Sequence, residues 1–336
     1  MDIVVKSFYR PYYLERCLRS VYSNIQGKYT ITVLDDGTPD LYLNRIQELF
    51  PEVKIIKSEE YTLKTAAIAK HISGEVNYKL NAIPVKLWRA SIANCSDYFL
   101  LLEEDAWITN PVRIDDFQDL MKKEELLIVK LAWNNNPALV KGRKAELSNE
   151  VEELLPDLPI NSLSLLKPYF KNAFRIKTVL NKLGLVTIKS LLPYYQLYTV
   201  TSAFFNKTYW DYLWKHSDGS IDESSQLLRA VEWRNKKKVG RYAKANVEHI
   251  KTSFITSSVN RLTTNKFDLI RLNHHLNESW LRKDLDAMQN FPNDFNLEYL
   301  QRFIVKKNDP LCTTSAWNSW IALFKSVHRQ AGSVID

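Results

Sequence analysis

Apolar residues along the first 133 positions of this 336-residue chain fall into two alternating spacings. Short runs of consecutive or every-other apolar residues predict strands over 3–7, 29–34, 53–58, 98–102 and 126–133. Between several of them the spacing lengthens to that of a helix. Leu14, Cys17, Leu18, Val21 and Ile25 follow Pro11, which suits a first helical turn, and 41–50 and 81–94 repeat the pattern, the latter through Ile83, Leu87, Ala90 and Ile92. Strands alternating with helices predict an α/β fold whose open, mostly parallel sheet is covered on both faces. Ligands of such sheets bind outside the carboxyl ends of the strands. Two predicted strands end there in acids, one in Asp35 and Asp36 before Gly37, the other in Glu103, Glu104 and Asp105. A core strand that ends in three carboxylates needs positive charge between them.

Beyond residue 133 the pattern changes. The stretch 134–196 is polar, then helical with basic residues on one side, and predicts a helical insertion or lid. Strand spacing returns at 197–205, a helix starts near Asp222, and a late strand ends at His249. From about residue 263 the spacing is helical to the end. The expected division is therefore 1–133 and 197–255 as two halves of one α/β domain, the insertion 134–196 between them, and a helical C-terminal region, 256–336.

Composition narrows the function. No window reaches the roughly 18 uninterrupted apolar residues of a membrane span, and residues 1–5 lack the basic start of a secretion signal, so the expectation is a soluble, cytoplasmic protein. Three widely spaced cysteines, Cys17, Cys95 and Cys312, predict reduced thiols. The formal charge of +8, from 46 basic and 38 acidic residues, is concentrated in part over 234–244, a stretch able to meet an anion. With eight glycines and neither a G-x-x-x-x-G-K-[ST] nor a G-x-G-x-x-G pattern, a P-loop or dinucleotide fingerprint is excluded as the phosphate-holding device.

The stretch "IVVKSFYRPYYLERCLRSVYSN" followed by "ITVLDDGTPD" resembles the opening of family 2 and related nucleotide-sugar glycosyltransferases of the GT-A fold, and "YFLLLEEDAW" resembles that fold's DXD segment. The likeness covers 1–133 closely and 197–255 loosely. It implies transfer of a sugar from a nucleoside diphosphate to a glycan or lipid-linked hydroxyl, assisted by Mn²⁺ or Mg²⁺ and inverting in outcome. Glu103, Asp105 and His249 are the implied metal ligands. Ser7, Phe8, Arg10, Asp35, Asp36, Lys86, Arg89, Glu104 and Lys251 are the implied donor contacts. A general base is implied at a helix start, where "IDESSQLLRAV" supplies Glu223, with Asp222 beside it. Glu stands for the usual first Asp of the DXD segment, and Lys6 for a common Pro. Two other readings remain open from the residues: a sugar-phosphate nucleotidyltransferase, and a noncatalytic glycan- or nucleic-acid-binding protein using 234–244. The tail helix carries Trp317, Ile321 and Phe324 on one face, which predicts either packing or peripheral contact with the inner face of a membrane.

Overall fold

The computed structural model describes residues 1–183, 188–200, 202–217, 219, 223–237, 239–258 and 267–335. The chain runs β1 (Asp2–Ser7), α1 (Pro11–Asn24), β2 (Ile25–Gln26), β3 (Thr30–Asp35), α2 (Asp40–Leu49), β4 (Lys54–Lys57), α3 (Tyr61–Ile72) and α4 (Val85–Ala93). It continues as β5 (Tyr98–Glu103), β6 (Ala106–Ile108), β7 (Val112–Arg113), α5 (Ile114–Lys123), β8 (Leu126–Lys130), β9 (Arg143–Ser148) and β10 (Val151–Leu155). Then come α6 (Leu163–Phe170), α7 (Ile176–Lys182), α8 (Ile188–Leu191), β11 (Ala203–Asn206), α9 (Lys207–Trp214), α10 (Ser224–Lys236), β12 (Arg241–Ala245) and β13 (Ile250–Thr252). Three helices follow, α11 (Leu269–Leu281), α12 (Leu297–Val305) and α13 (Thr314–Gln330).

Among the described residues the main sheet has nine strands in the order β4-β3-β1-β5-β11-β8-β12-β10-β9. Neighbours β4, β3, β1 and β5 are parallel, as are β8 and β12, while β11 runs against β5 and β8 and β10 against β12 and β9. This is the expected α/β class with a helical C-terminus. Alternate residues of β1 and β5 enter two different cores, Ile3, Val5, Leu100 and Leu102 on one face and Val4, Phe99 and Leu101 on the other. Both faces are covered, so these strands read as continuous apolar runs.

Three differences from the sequence expectation have physical causes. Helix α3 buries Tyr61, Lys64, Ile68 and His71; two of these four are polar, so apolar spacing does not reveal it. The 134–196 stretch is not helical throughout: β9 and β10 form a hairpin that extends the main sheet, and among the described residues the α-helices of the stretch begin at Leu163. As an edge strand, β9 is charged and largely exposed, which blunts the edge and hides the strand signal. Three of the six cations in the basic run 234–244 are paired with acids. Arg241 pairs with Glu153 at 2.5 Å, Lys236 with Glu232 at 2.5 Å and Lys244 with Glu152 at 3.0 Å.

The tail face singled out for membrane contact points inward. Trp317, Trp320 and Ile321 are buried, the Trp317 indole N–H donates to the Ile255 carbonyl at 2.8 Å, and Phe324 and His328 pack on Phe254. Membrane contact through that face is therefore corrected to core packing, since a buried indole has no surface left to offer lipid. The three cysteines are free thiols, with Cys17 and Cys312 buried.

Candidate functional site

Parallel register brings the predicted strand ends together. Ser7 of β1 lies opposite Asp35 of β3, Lys6 opposite Glu103 of β5, and Asp35 opposite Lys57 of β4. Outside this rim a cleft with about 920 Å³ of empty space, partly open to solvent, lies between β1, the 78–84 segment and the start of α10.

The carboxylates of the β5 end are not left to one another. Arg10, buried at the start of α1, donates from Nε to Glu104 Oε1 at 2.9 Å and from a terminal nitrogen to Asp105 Oδ2 at 2.8 Å. Lys6 Nζ sits 2.8 Å from Glu103 and 4.7 Å from the Trp88 ring centre. Part of the positive charge expected from a divalent cation is thus supplied by the chain itself. Sequence spacing could not show it, because Arg10 and Glu104 are 94 residues apart.

The β3 end divides its two acids between two tasks. Asp35 is fully buried and accepts from Ser7 Oγ at 2.9 Å and from the backbone N–H groups of Gly37 and Thr38. Burial pushes its carboxyl up to about 6 against those bonds, and its role is to hold the turn. Asp36 lines the cleft and takes Lys64 Nζ at 2.5 Å, while Lys64 also donates to the Ala82 carbonyl. Lys64, a cleft residue that the sequence reading missed, therefore fastens the 78–84 segment to the rim. Phe8 and Tyr78 face each other with ring centres 6.1 Å apart.

Of the remaining expected contacts, Ser7, Phe8, Arg10, Glu104 and Glu103 line the cleft together with Glu223 and Gln226. Glu223 stands immediately before α10, where the sequence placed it. Asp222 lies outside the described residues. Lys86 is exposed beside Glu59, Arg89 pairs with Asp211 at 2.8 Å on α9, and Lys251 donates to Asn293 at 2.9 Å. None of these three lines the cleft; each is a surface cation satisfied elsewhere.

The rim carries more negative than positive charge. Asp36, Glu103, Glu104, Asp105 and Glu223 face or adjoin Lys6, Arg10 and Lys64. Burial pushes Glu104 up to about 7 in spite of Arg10, raises Asp105 likewise, and leaves Asp105 Oδ1 buried without a hydrogen-bond partner among the described residues. An excess of this kind fits a divalent cation held by one or two carboxylates with phosphate and water completing its shell. It does not fit a protein-only cage, since no three His, Cys, Asp or Glu side chains gather for one among the described residues. His249 in particular is not in the cleft. Its ring packs edge-on against Phe117 at 6.2 Å and its backbone N–H donates to Leu131, so its position is that of a core histidine.

No family model matches the sequence, and no curated protein matches it. Among solved structures the chain is similar to S. aureus TarS 1–349, with a TM-score of 0.43 at 10% identity over 90% of this chain and 69% of that one. It is similar to the galactosyltransferase LgtC, crystallised with donor and acceptor sugar analogs, with a TM-score of 0.35 at 12% identity over 69% of this chain and 70% of that one. It is also similar to the mannosyltransferase PcManGT of Pyrobaculum calidifontis, in complex with GDP-Man and Mn²⁺, with a TM-score of 0.37 at 9% identity over 99% and 76%. Likenesses at TM-scores below 0.5 leave the function to the geometry of the cleft.

Proposed function

We propose that the chain is a GT-A-type glycosyltransferase that moves a sugar from a nucleoside-diphosphate sugar to a hydroxyl of a glycan or glycoconjugate, with inversion at the anomeric carbon. The observation that carries this reading is convergence. Buried Lys6, Arg10 and Lys64, the Phe8 and Tyr78 rings and the Glu223 carboxylate all face one space beyond the carboxyl ends of parallel strands.

In this reading the base of the donor lies against Phe8, and Asp36 accepts from the nucleoside. Lys6 and Arg10 keep the β5 carboxylates in place and moderate their repulsion of the incoming diphosphate. A divalent cation held by Glu103 or Glu104 would supply Lewis-acid neutralisation of the leaving diphosphate. Glu223 takes the proton from the acceptor hydroxyl as that oxygen bonds to the anomeric carbon. The bond from that carbon to the diphosphate oxygen breaks, and its electron pair leaves with the nucleoside diphosphate. Trp88 and Trp214, packed edge-to-face at 5.4 Å, wall the cleft on the side of α4 and α9 and limit water.

The test is a hydrolysis screen of UDP-, GDP- and CMP-sugars with Mn²⁺, followed by Glu223→Gln on the donor found. The expected result is retained donor binding by calorimetry with transfer reduced by about 10²-fold or more. Full transfer by the variant places the base elsewhere, with Asp222→Asn as the next variant. Hydrolysis of no donor refutes the reading.

A further inference from the structure

One lobe of this protein carries cations with no acids of its own beside them. Between Asp157 and Asp211 there is no acidic residue, and positions 158–206 carry Lys167, Lys171, Arg175, Lys177, Lys182 and Lys189, a formal +6. Elsewhere cations are regularly paired, as Arg241 and Lys244 are with Glu153 and Glu152. Among the described residues none of these six makes an ion pair. All but Lys177 are exposed. Large apolar side chains stand among them in the open: Leu165 is 63% exposed, Val179 50% and Leu183 65%.

Cations interleaved with exposed aliphatic side chains on short helices suit the headgroup region of an anionic bilayer, where each Lys or Arg adds electrostatic attraction and each apolar side chain adds burial. A soluble polyanion would use the cations and leave the leucines in water. The position also matters. Helix α6 packs against α10, and Phe170, Lys171, Lys177 and Thr178 share a depression with Ser224 and Ser225, the residues that follow Glu223. We infer that the described part of this lobe, α6 to α8, docks on an anionic phospholipid surface and so sets the start of α10, with the cleft behind it, beside that surface. This inference stands independently of the donor chemistry. It moves the lipid contact from the tail helix, whose aromatic face is buried, to the lobe. Among the described residues no helix is long and apolar enough to cross a membrane, so the contact is peripheral.

The experiment is cosedimentation of the full chain with extruded vesicles of phosphatidylcholine alone and of phosphatidylcholine with 30% phosphatidylglycerol, in about 0.1 M and about 0.5 M NaCl. Binding is expected only to the anionic vesicles, weaker at high salt, and reduced by at least about fivefold for each cation reversed in the series Lys167→Glu, Lys171→Glu, Lys182→Glu. Leu165→Ser with Leu183→Ser is expected to remove the part of the binding that survives high salt. Thermal melts of the variants, whose altered side chains are exposed, are expected to match that of the parent. Absence of sedimentation overturns the inference, as does unchanged sedimentation of the triple reversal. Heparin binding as tight as vesicle binding, with no effect of the two leucine changes, also overturns it in favour of a soluble polyanion.

Discussion

Replacing Glu104 by Gln should change how the stability of this protein depends on pH. Glu104 is 4% exposed and burial pushes its carboxyl from 4.5 up to about 7, although Arg10 pulls the other way. A carboxyl that holds its proton more tightly when folded contributes stability that is complete below its unfolded value and is lost as pH rises through its folded one. The window is therefore about 4.5 to 7. At about 1.4 kcal/mol per pH unit, the gap amounts to about 3 kcal/mol. Gln keeps the size of Glu and an oxygen able to accept from Arg10, but does not ionise. Urea unfolding of parent and variant at pH 5, 6, 7 and 8 measures the difference directly. Asp35, pushed up to about 6, titrates in both proteins and drops out of that comparison. The variant should gain on the parent by about 2–3 kcal/mol between pH 5 and 8. Parallel pH curves would show that Glu104 does not titrate in this range and would undo the account of an overcharged rim.

Three other outcomes follow from the same packing. Trp317→Ala should cost about 3–5 kcal/mol in urea unfolding, because the tail face is core; a neutral effect would return that face to solvent. Gly37→Ala should cost about 1–3 kcal/mol and weaken donor binding, because φ is +142° and a Cβ there would meet Lys64 Cβ at 2.9 Å and Phe8 at 3.2 Å; unchanged donor titrations would show the turn to be slack. Glu103→Gln should raise the Mn²⁺ concentration for half-maximal activity whereas His249→Ala should not, and the reverse order would restore His249 as a metal ligand.

The C-terminal region owes its place to the cleft's own foundation. Trp317 bonds to Ile255, next to Thr256, whose hydroxyl receives an Arg10 nitrogen at 3.3 Å. The tail helix thereby supports the residue that neutralises Glu104 and Asp105, so a core substitution some distance from the cleft should also be felt in donor affinity. Measuring both quantities on Trp317→Ala separates loss of fold from loss of site.

What the sequence determined by itself was the alternation of β1, α1, β3, α2 and β5, and the fact that acids end two of the strands. Both rest on local periodicity and on the rule that parallel strands share a carboxyl rim, so neither needed long-range information. It also placed Glu223 at a helix start. Only the tertiary structure decided which cation meets which acid: Arg10 with Glu104 and Asp105, Lys6 with Glu103, Lys64 with Asp36. Such pairs join residues up to 95 positions apart, and nothing in local spacing distinguishes Lys64, buried and essential to the rim, from Lys86, exposed and outside it. The same holds for the tail, where an apolar stripe fits a core as well as a lipid surface until the partner face is in place.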